Sequence, residues 1–274
     1  FLNKNNAISL YIMLNLNLRN KVVLITGASK GMGFEVAQAF SNEGAKVFLV
    51  SRNKERLKIA VGKIIKQGGI ASYLSGDVSN AKIHSKVFKE CKKKFGSIDI
   101  LINNAGGPPM GTLFEHDENE WQKTIQTNML SVVRFTKSAL KDMKKKQWGR
   151  IITITSTVTK EPSPEMILSA TSRGGLSAFN KAVCLEFAKF NITSNIISPG
   201  GVLTDRLKNL FKEKSKRISK KYSTVIESAQ DSIPAKRFAD PKEIANVILF
   251  LSSEHGAYIN GVNLSVDGGL TRGY

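Results

Sequence analysis

Seven short apolar runs, each but the last followed by a longer polar or helix-patterned stretch, restrict this chain more than any other feature. They occupy 21–27 (KVVLITG), 46–52 (KVFLVSR), 72–78, 97–106, 150–156, 193–201 and 262–269. Stretches 33–43, 53–68, 80–95, 117–147, 166–190 and 241–251 carry a helical pattern; in the second, Leu57, Ala60, Val61, Ile64 and Ile65 share one face. Strands that are apolar at nearly every position have both faces covered, as in a parallel sheet between two helical layers. The expected fold class is therefore α/β, a doubly wound parallel sheet in a single domain. In such sheets ligands bind beyond the carboxyl ends of the strands, so the strand ends hold the candidate functional residues.

At 274 residues the chain is long enough for one such domain with a sizeable core. No apolar run approaches 18 residues, so no membrane span is expected. Cys91 and Cys184 lack metal-ligand spacing, and no metal site is expected; the thiols read as structural groups in a reducing compartment, consistent with a cytoplasmic protein. His84, His116 and His255 are scattered and read as surface or capping residues. The formal net charge of +19 admits an acidic partner, but lysines are spread along the whole chain and no nucleic-acid module is present. Compositional bias accounts for them, and neither a nucleic-acid nor a membrane partner is expected. Residues 1–15 read as an N-terminal extension outside the fold and 16–274 as the domain. The Lys-rich segment 205–235 follows a strand end and has the position of a substrate lid.

The first strand-to-helix turn is Thr26-Gly27-Ala28-Ser29-Lys30-Gly31-Met32-Gly33. Gly27 permits a tight turn, Gly31 lets backbone approach a pyrophosphate, and Gly33 allows close helix–strand packing. The helix N-terminus, with unpaired N–H groups and a positive dipole end, favours the phosphates. The second strand ends Val50-Ser51-Arg52. An acidic residue there would bind an NAD ribose hydroxyl, whereas Arg52, with Lys30 nearby, suits a 2′-phosphate. NADP(H) is favoured, and NAD(H) remains possible.

TGASKGMG (26–33), GDV (76–78), NNAG (103–106), Asn128, ITS (154–156), SPGGVLT (198–204) and SVDGG (265–269) occur in the order found in the short-chain dehydrogenase/reductase family, which the chain resembles over Leu16–Gly273. The nearest general likeness is to 3-oxoacyl-carrier-protein reductases. The resemblance implies a Rossmann-like fold, a carbonyl substrate that is a small molecule or carrier-bound, and a homo-oligomer, a dimer or tetramer. It implies that Asp77 and Val78 contact adenine, that Asn104, Ala105 and Gly106 lie along the cofactor ribose, and that Pro199, Gly200 and Thr204 meet the nicotinamide end. Gly106-Gly107-Pro108-Pro109 departs from the family pattern, and its two prolines stiffen a loop that either walls the substrate pocket or merely connects.

The catalytic positions depart further. The family uses a Ser, a Tyr, a Lys four residues after the Tyr, and an Asn that anchors a relay water. Ser156 and Asn128 match the first and last. Family spacing from Ser156 sets Ser169 at the Tyr position and Arg173 at the Lys position. A register shifted by one sets Leu168 and Ser172 there instead, at the expense of the helix pattern through Leu176, Ala178 and Phe179. A Ser hydroxyl is a far weaker acid than a phenol, whose pKa is about 10. Three readings remain open: a reductase with an altered site, in which Lys160 or Tyr222 are candidate replacement acids; a different reaction on the same cofactor; or a catalytically impaired dinucleotide-binding protein or regulatory subunit.

Overall fold

A computed structural model describes residues 15–273; most of the expected N-terminal extension, residues 1–14, lies outside them. Seven strands, β1 (Val22–Thr26), β2 (Lys46–Ser51), β3 (Ile70–Ser75), β4 (Ile100–Asn103), β5 (Gly149–Ile154), β6 (Ile192–Pro199) and β7 (Asn263–Val266), form one sheet in the order β3-β2-β1-β4-β5-β6-β7. Every neighbouring pair is parallel. The alternation along each strand explains the near-continuous apolar runs. Val23 and Ile25 of β1 join one buried cluster with Val47, Leu49, Ile100, Ile102 and Ile152. Val22 and Leu24 join the cluster on the other face with Phe48, Val50, Leu101 and Ile151. Side chains with a period of two thus fill two cores, one under each helical layer.

Helices α1 (Gly31–Asn42), α2 (Lys54–Lys66) and α9 (Pro241–Ser252) contribute buried residues to the first cluster. Helix α3 (Ile83–Phe95), α5 (Ser131–Lys146) and the long α6 (Ile167–Phe187) contribute to the second. Helix α9 begins with a full capping box between Asp240 and Glu243 and Pro241 in its first turn, as its sequence indicates. Cys91, on α3, is fully buried in the second cluster, and burial pushes its thiol up to about 12. The thiolate is the reactive form. Iodoacetamide treatment of the native protein at neutral pH is therefore expected to leave Cys91 unmodified by peptide mapping, with labelling only after denaturation.

Three sequence expectations need correction. The third strand begins two residues and ends three residues earlier than expected, so Gly76, Asp77 and Val78 form the loop beyond it. The stretch expected as a single helix over 117–147 is α4 (Glu118–Ile125) and α5, joined by a π-helical turn, Gln126–Leu130. The wider turn contains Asn128, whose buried amide donates to the Gly106 carbonyl at 3.1 Å, a tertiary bond that hydrophobic periodicity does not register. His116 is not a surface residue: its ring is buried beneath Gly111, with Nδ1 3.0 Å from Glu120 Oε2. Segment 205–235 is two helices, α7 (Asp205–Arg217) and α8 (Tyr222–Asp231).

The strand order reverses direction at β1, with β2 on one side and β4 on the other. The loops after β1 and β4 therefore diverge to opposite helical layers and leave a crevice between them.

Candidate active site

Beyond the carboxyl ends of the strands lies a cavity of about 660 Å3, and the cofactor residues named from the sequence line it together with Asn128, Ser156, Ser169 and Arg173. The glycine turn fixes one wall. Gly27 has φ +61°, and a Cβ there would lie 2.3 Å from the Asn104 carbonyl oxygen. A Cβ on Gly33 would lie 2.5 Å from both the Gly27 carbonyl oxygen and Asn104 Nδ2. The side chain of Asn104 donates to the Gly27 carbonyl at 3.1 Å, and its backbone N–H donates to Thr26 Oγ1 at 2.9 Å. Asn104 ties the β4 end to the glycine turn across the crevice.

Helix α1 starts in this turn with no side-chain cap and no acidic residue in its first turn. Its N-terminal N–H groups and dipole are thus open to an anion from the cavity. Gly31, at φ +58°, faces Thr204 at ordinary contact distance, which leaves the backbone accessible. These features fit a dinucleotide pyrophosphate. At the β2 end, Ser51 Oγ and Ser29 Oγ are 2.9 Å apart, and Arg52 and Arg56 both line the cavity. Lys30 does not turn towards Arg52; it pairs with Asp205 at 3.0 Å, drawn by the carboxylate in the first turn of α7. Both partners are largely exposed, so the pair is weak and open to competition by a stronger anion.

At the other end, Ser156 lies two residues beyond β5 and Asn128 sits in the π-helical turn, and both line the cavity. From α6, Ser169 and Arg173 reach the cavity, whereas Leu168 and Ser172 are buried and do not line it. The four-residue spacing stacks Ser169 and Arg173 on one face of the helix. The Arg173 guanidinium donates to Ser169 Oγ at 2.7 Å and makes a longer contact of 3.5 Å to the Ala105 carbonyl. Burial, and secondarily the charge of Arg206, push Arg173 down to about 10. It remains a cation at neutral pH.

Lys160 and Tyr222, considered from the sequence as replacement acids, do not line the cavity. Three cationic residues that the sequence reading missed do: Arg56, Lys123 and Arg206. Arg56 was legible as the residue one turn past Arg52. Arg206 was not, since its place depends on how α7 folds back: its guanidinium donates to the Pro108 carbonyl. Pro108 and Pro109 do form part of the cavity wall.

A family model described as Enoyl-(Acyl carrier protein) reductase matches residues 27–271. A 3-oxoacyl-(acyl-carrier-protein) reductase of Buchnera aphidicola (subspecies Schizaphis graminum) is 37% identical over 257 residues, covering 93% of this chain and 99% of that protein. The chain belongs to the short-chain dehydrogenase/reductase family. Its solved relatives carry the same architecture. L-sorbose reductase from Gluconobacter frateurii, complexed with NADPH and L-sorbose, superposes with a TM-score of 0.90 at 31% identity, over 95% of this chain and 100% of that one. An actinorhodin polyketide ketoreductase with NADPH gives 0.89 at 29% identity, over 92% and 98%. This short-chain dehydrogenase/reductase is thus an oxidoreductase by family, built on the single-domain parallel sheet that its strand pattern indicates. Among the described residues no helix is long and apolar enough to cross a membrane.

Proposed function

We propose that this protein is an NADP(H)-dependent reductase that converts a carbonyl to an alcohol, with Ser169 and Arg173 in the positions where the family has Tyr and Lys. One observation carries the reading: Ser169 and Arg173 share the cavity with Ser156 and Asn128 and are joined by a 2.7 Å hydrogen bond. The alternative register, with Leu168 and Ser172, has no side chain in the cavity.

The bound cofactor supplies hydride to the carbonyl carbon. The chain supplies orientation and charge. Ser156 and Ser169 present hydroxyl donors to the carbonyl oxygen. Arg173 occupies an acceptor site on Ser169 Oγ, which leaves the Ser169 O–H free to donate to substrate. The buried guanidinium then stabilises negative charge on that oxygen as the carbonyl is reduced. The guanidinium itself does not release a proton at neutral pH. The proton reaches the alkoxide through the Ser169 hydroxyl and is restored from solvent. Asn128, with its NH2 group held by Gly106, has its side-chain oxygen available to hold a relay water.

Arg52 and Arg56 support NADP(H) over NAD(H). Arg52→Asp is expected to weaken NADPH binding at least tenfold and to improve NADH binding relative to it, as read by titration of each nucleotide. Equal affinities of the native protein for both would contradict the cofactor assignment. The activity is tested by following NADPH oxidation with ketones, aldehydes and 3-oxoacyl thioesters. Tight NADPH binding with no turnover on any of them would favour a dinucleotide-binding protein without catalysis.

A further inference from the structure

We infer that the substrate carries its own carboxylate close to the reacting carbonyl, and that Arg206 at the start of α7 recognises it. This rests on the reductase reading and names its substrate class. Arg173 and Arg206 come from different helices to the same short loop, Arg173 at the carbonyl of Ala105 and Arg206 at that of Pro108. Both line the cavity. A Cβ on Gly107 would meet the Arg206 guanidinium at 3.1 Å. Glycine at 107 therefore lets the planar group lie on the loop, and the unusual Gly-Gly-Pro-Pro sequence acquires a purpose. It is a stiff platform that holds a cation.

Neither guanidinium has a carboxylate within ion-pair distance among the described residues. The three acidic residues that line the cavity are engaged elsewhere: Asp205 with Lys30, Glu120 with His116, and Asp77 with Ser79. Two partly desolvated cations on one loop repel each other, and burial lowers the affinity of each for its proton. An anion at Arg206 offsets the repulsion and takes the Arg206 donors that the Pro108 carbonyl leaves free. The planar guanidinium matches a two-oxygen acceptor. Since Ser156 and Ser169 line the same cavity and take the carbonyl, the two groups belong to one small molecule, an oxo acid. The competing anion is the cofactor pyrophosphate, because Arg206 adjoins the Thr204–Asp205 corner opposite Gly31.

The test compares 2-oxobutanoate, acetoacetate and levulinate with their methyl esters, and 2-oxopropylphosphonate, as substrates with NADPH. The native protein is expected to prefer at least one acid over its ester by tenfold or more in kcat/KM. Arg206→Met is expected to collapse that ratio through KM, and Arg206→Lys to retain part of it. Lys212→Met, which removes an equal charge from the exposed side of α7, is expected to leave the ratio intact. Equal use of acids and esters by the native protein overturns the proposal while the reductase reading stands. So does Arg206→Met that weakens NADPH binding tenfold and leaves the ratio alone, which would assign Arg206 to the cofactor. Preference for the phosphonate over every carboxylate overturns the carboxylate class. If no carbonyl is reduced, the reductase reading fails by itself, and the acid site is decided by fluorescence of bound NADPH: saturable quenching by acetoacetate that Arg206→Met abolishes supports it, and no response overturns it.

Discussion

Arg173→Met is expected to lower kcat/KM for carbonyl reduction by about 10²–10³-fold, the usual loss when one preorganised donor to a developing oxyanion is removed. The effect is expected mainly in kcat, because the charge is needed as the oxygen becomes negative and less when the neutral ketone binds. Methionine fills similar apolar space along α6 and leaves no buried unpaired cation. Arg173 is titrated at lower pH in the folded protein, about 10, than when exposed, so the unfolded chain holds that proton more tightly. Below about pH 10 the charged group therefore disfavours the fold, and the penalty fades as pH rises through that value. Arg173→Met is accordingly expected to unfold at a temperature no lower than the native protein, which keeps the activity loss attributable to chemistry. A variant with full activity would remove Arg173 from the mechanism.

Gly33→Ala is expected to damage both stability and cofactor binding. The added methyl would sit 2.5 Å from a backbone carbonyl and from an amide that is itself bonded to that carbonyl. Neither neighbour is the free end of a flexible side chain, so the helix or the turn must move. Overpacking of this kind costs about 3 kcal/mol, which corresponds to roughly 6–12 °C in unfolding temperature for a domain of this size. Displacement of the turn also breaks the Asn104–Gly27 bond and misplaces the open helix end, so NADPH affinity is expected to fall at least tenfold. Gly174→Ala is the matched control. Nothing lies within 4 Å of a Cβ there, in the interior of α6. Alanine is expected to stabilise the protein by up to about 1 kcal/mol through helix propensity. Thermal unfolding and NADPH titration of both variants separate the steric effect from a general intolerance of glycine replacement.

The fold was legible because burial on both faces writes itself into every strand: Val22 to Ile25 are all apolar and are divided between two cores. The glycine turn was legible because Gly27, Gly31 and Gly33 each answer a local backbone demand. Ser169 and Arg173 were reached by counting the family separation from Ser156 and by helix phase, and the fold brings both side chains to the cavity. What the sequence obscured depends on tertiary partners. The π-helical turn around Asn128 has no distinct hydrophobic period, and the bond that accompanies it joins residues 22 positions apart. The sequence sets Lys30 beside a phosphate site, and only the fold of α7 brings Asp205 to it from 175 positions away. Arg206 was one cation among many in a Lys-rich segment, and only its approach to Pro108 distinguishes it. The resemblance directs Asn104 to the cofactor ribose, but the bond by which its amide NH2 ties the β4 end to the glycine turn joins residues 77 positions apart and leaves no local trace in the sequence.

The central claim is that the Ser169–Arg173 pair performs the work that Tyr and Lys perform elsewhere in the family. It is tested most directly by kcat/KM for NADPH-dependent ketone reduction in the native protein and in the double variant Ser169→Tyr/Arg173→Lys, measured on the same substrate panel. The expected result is a native enzyme that turns over at least one carbonyl and a double variant that is at least tenfold slower on it. A native protein that binds NADPH without turnover, converted by the double substitution into an active reductase, would contradict the claim.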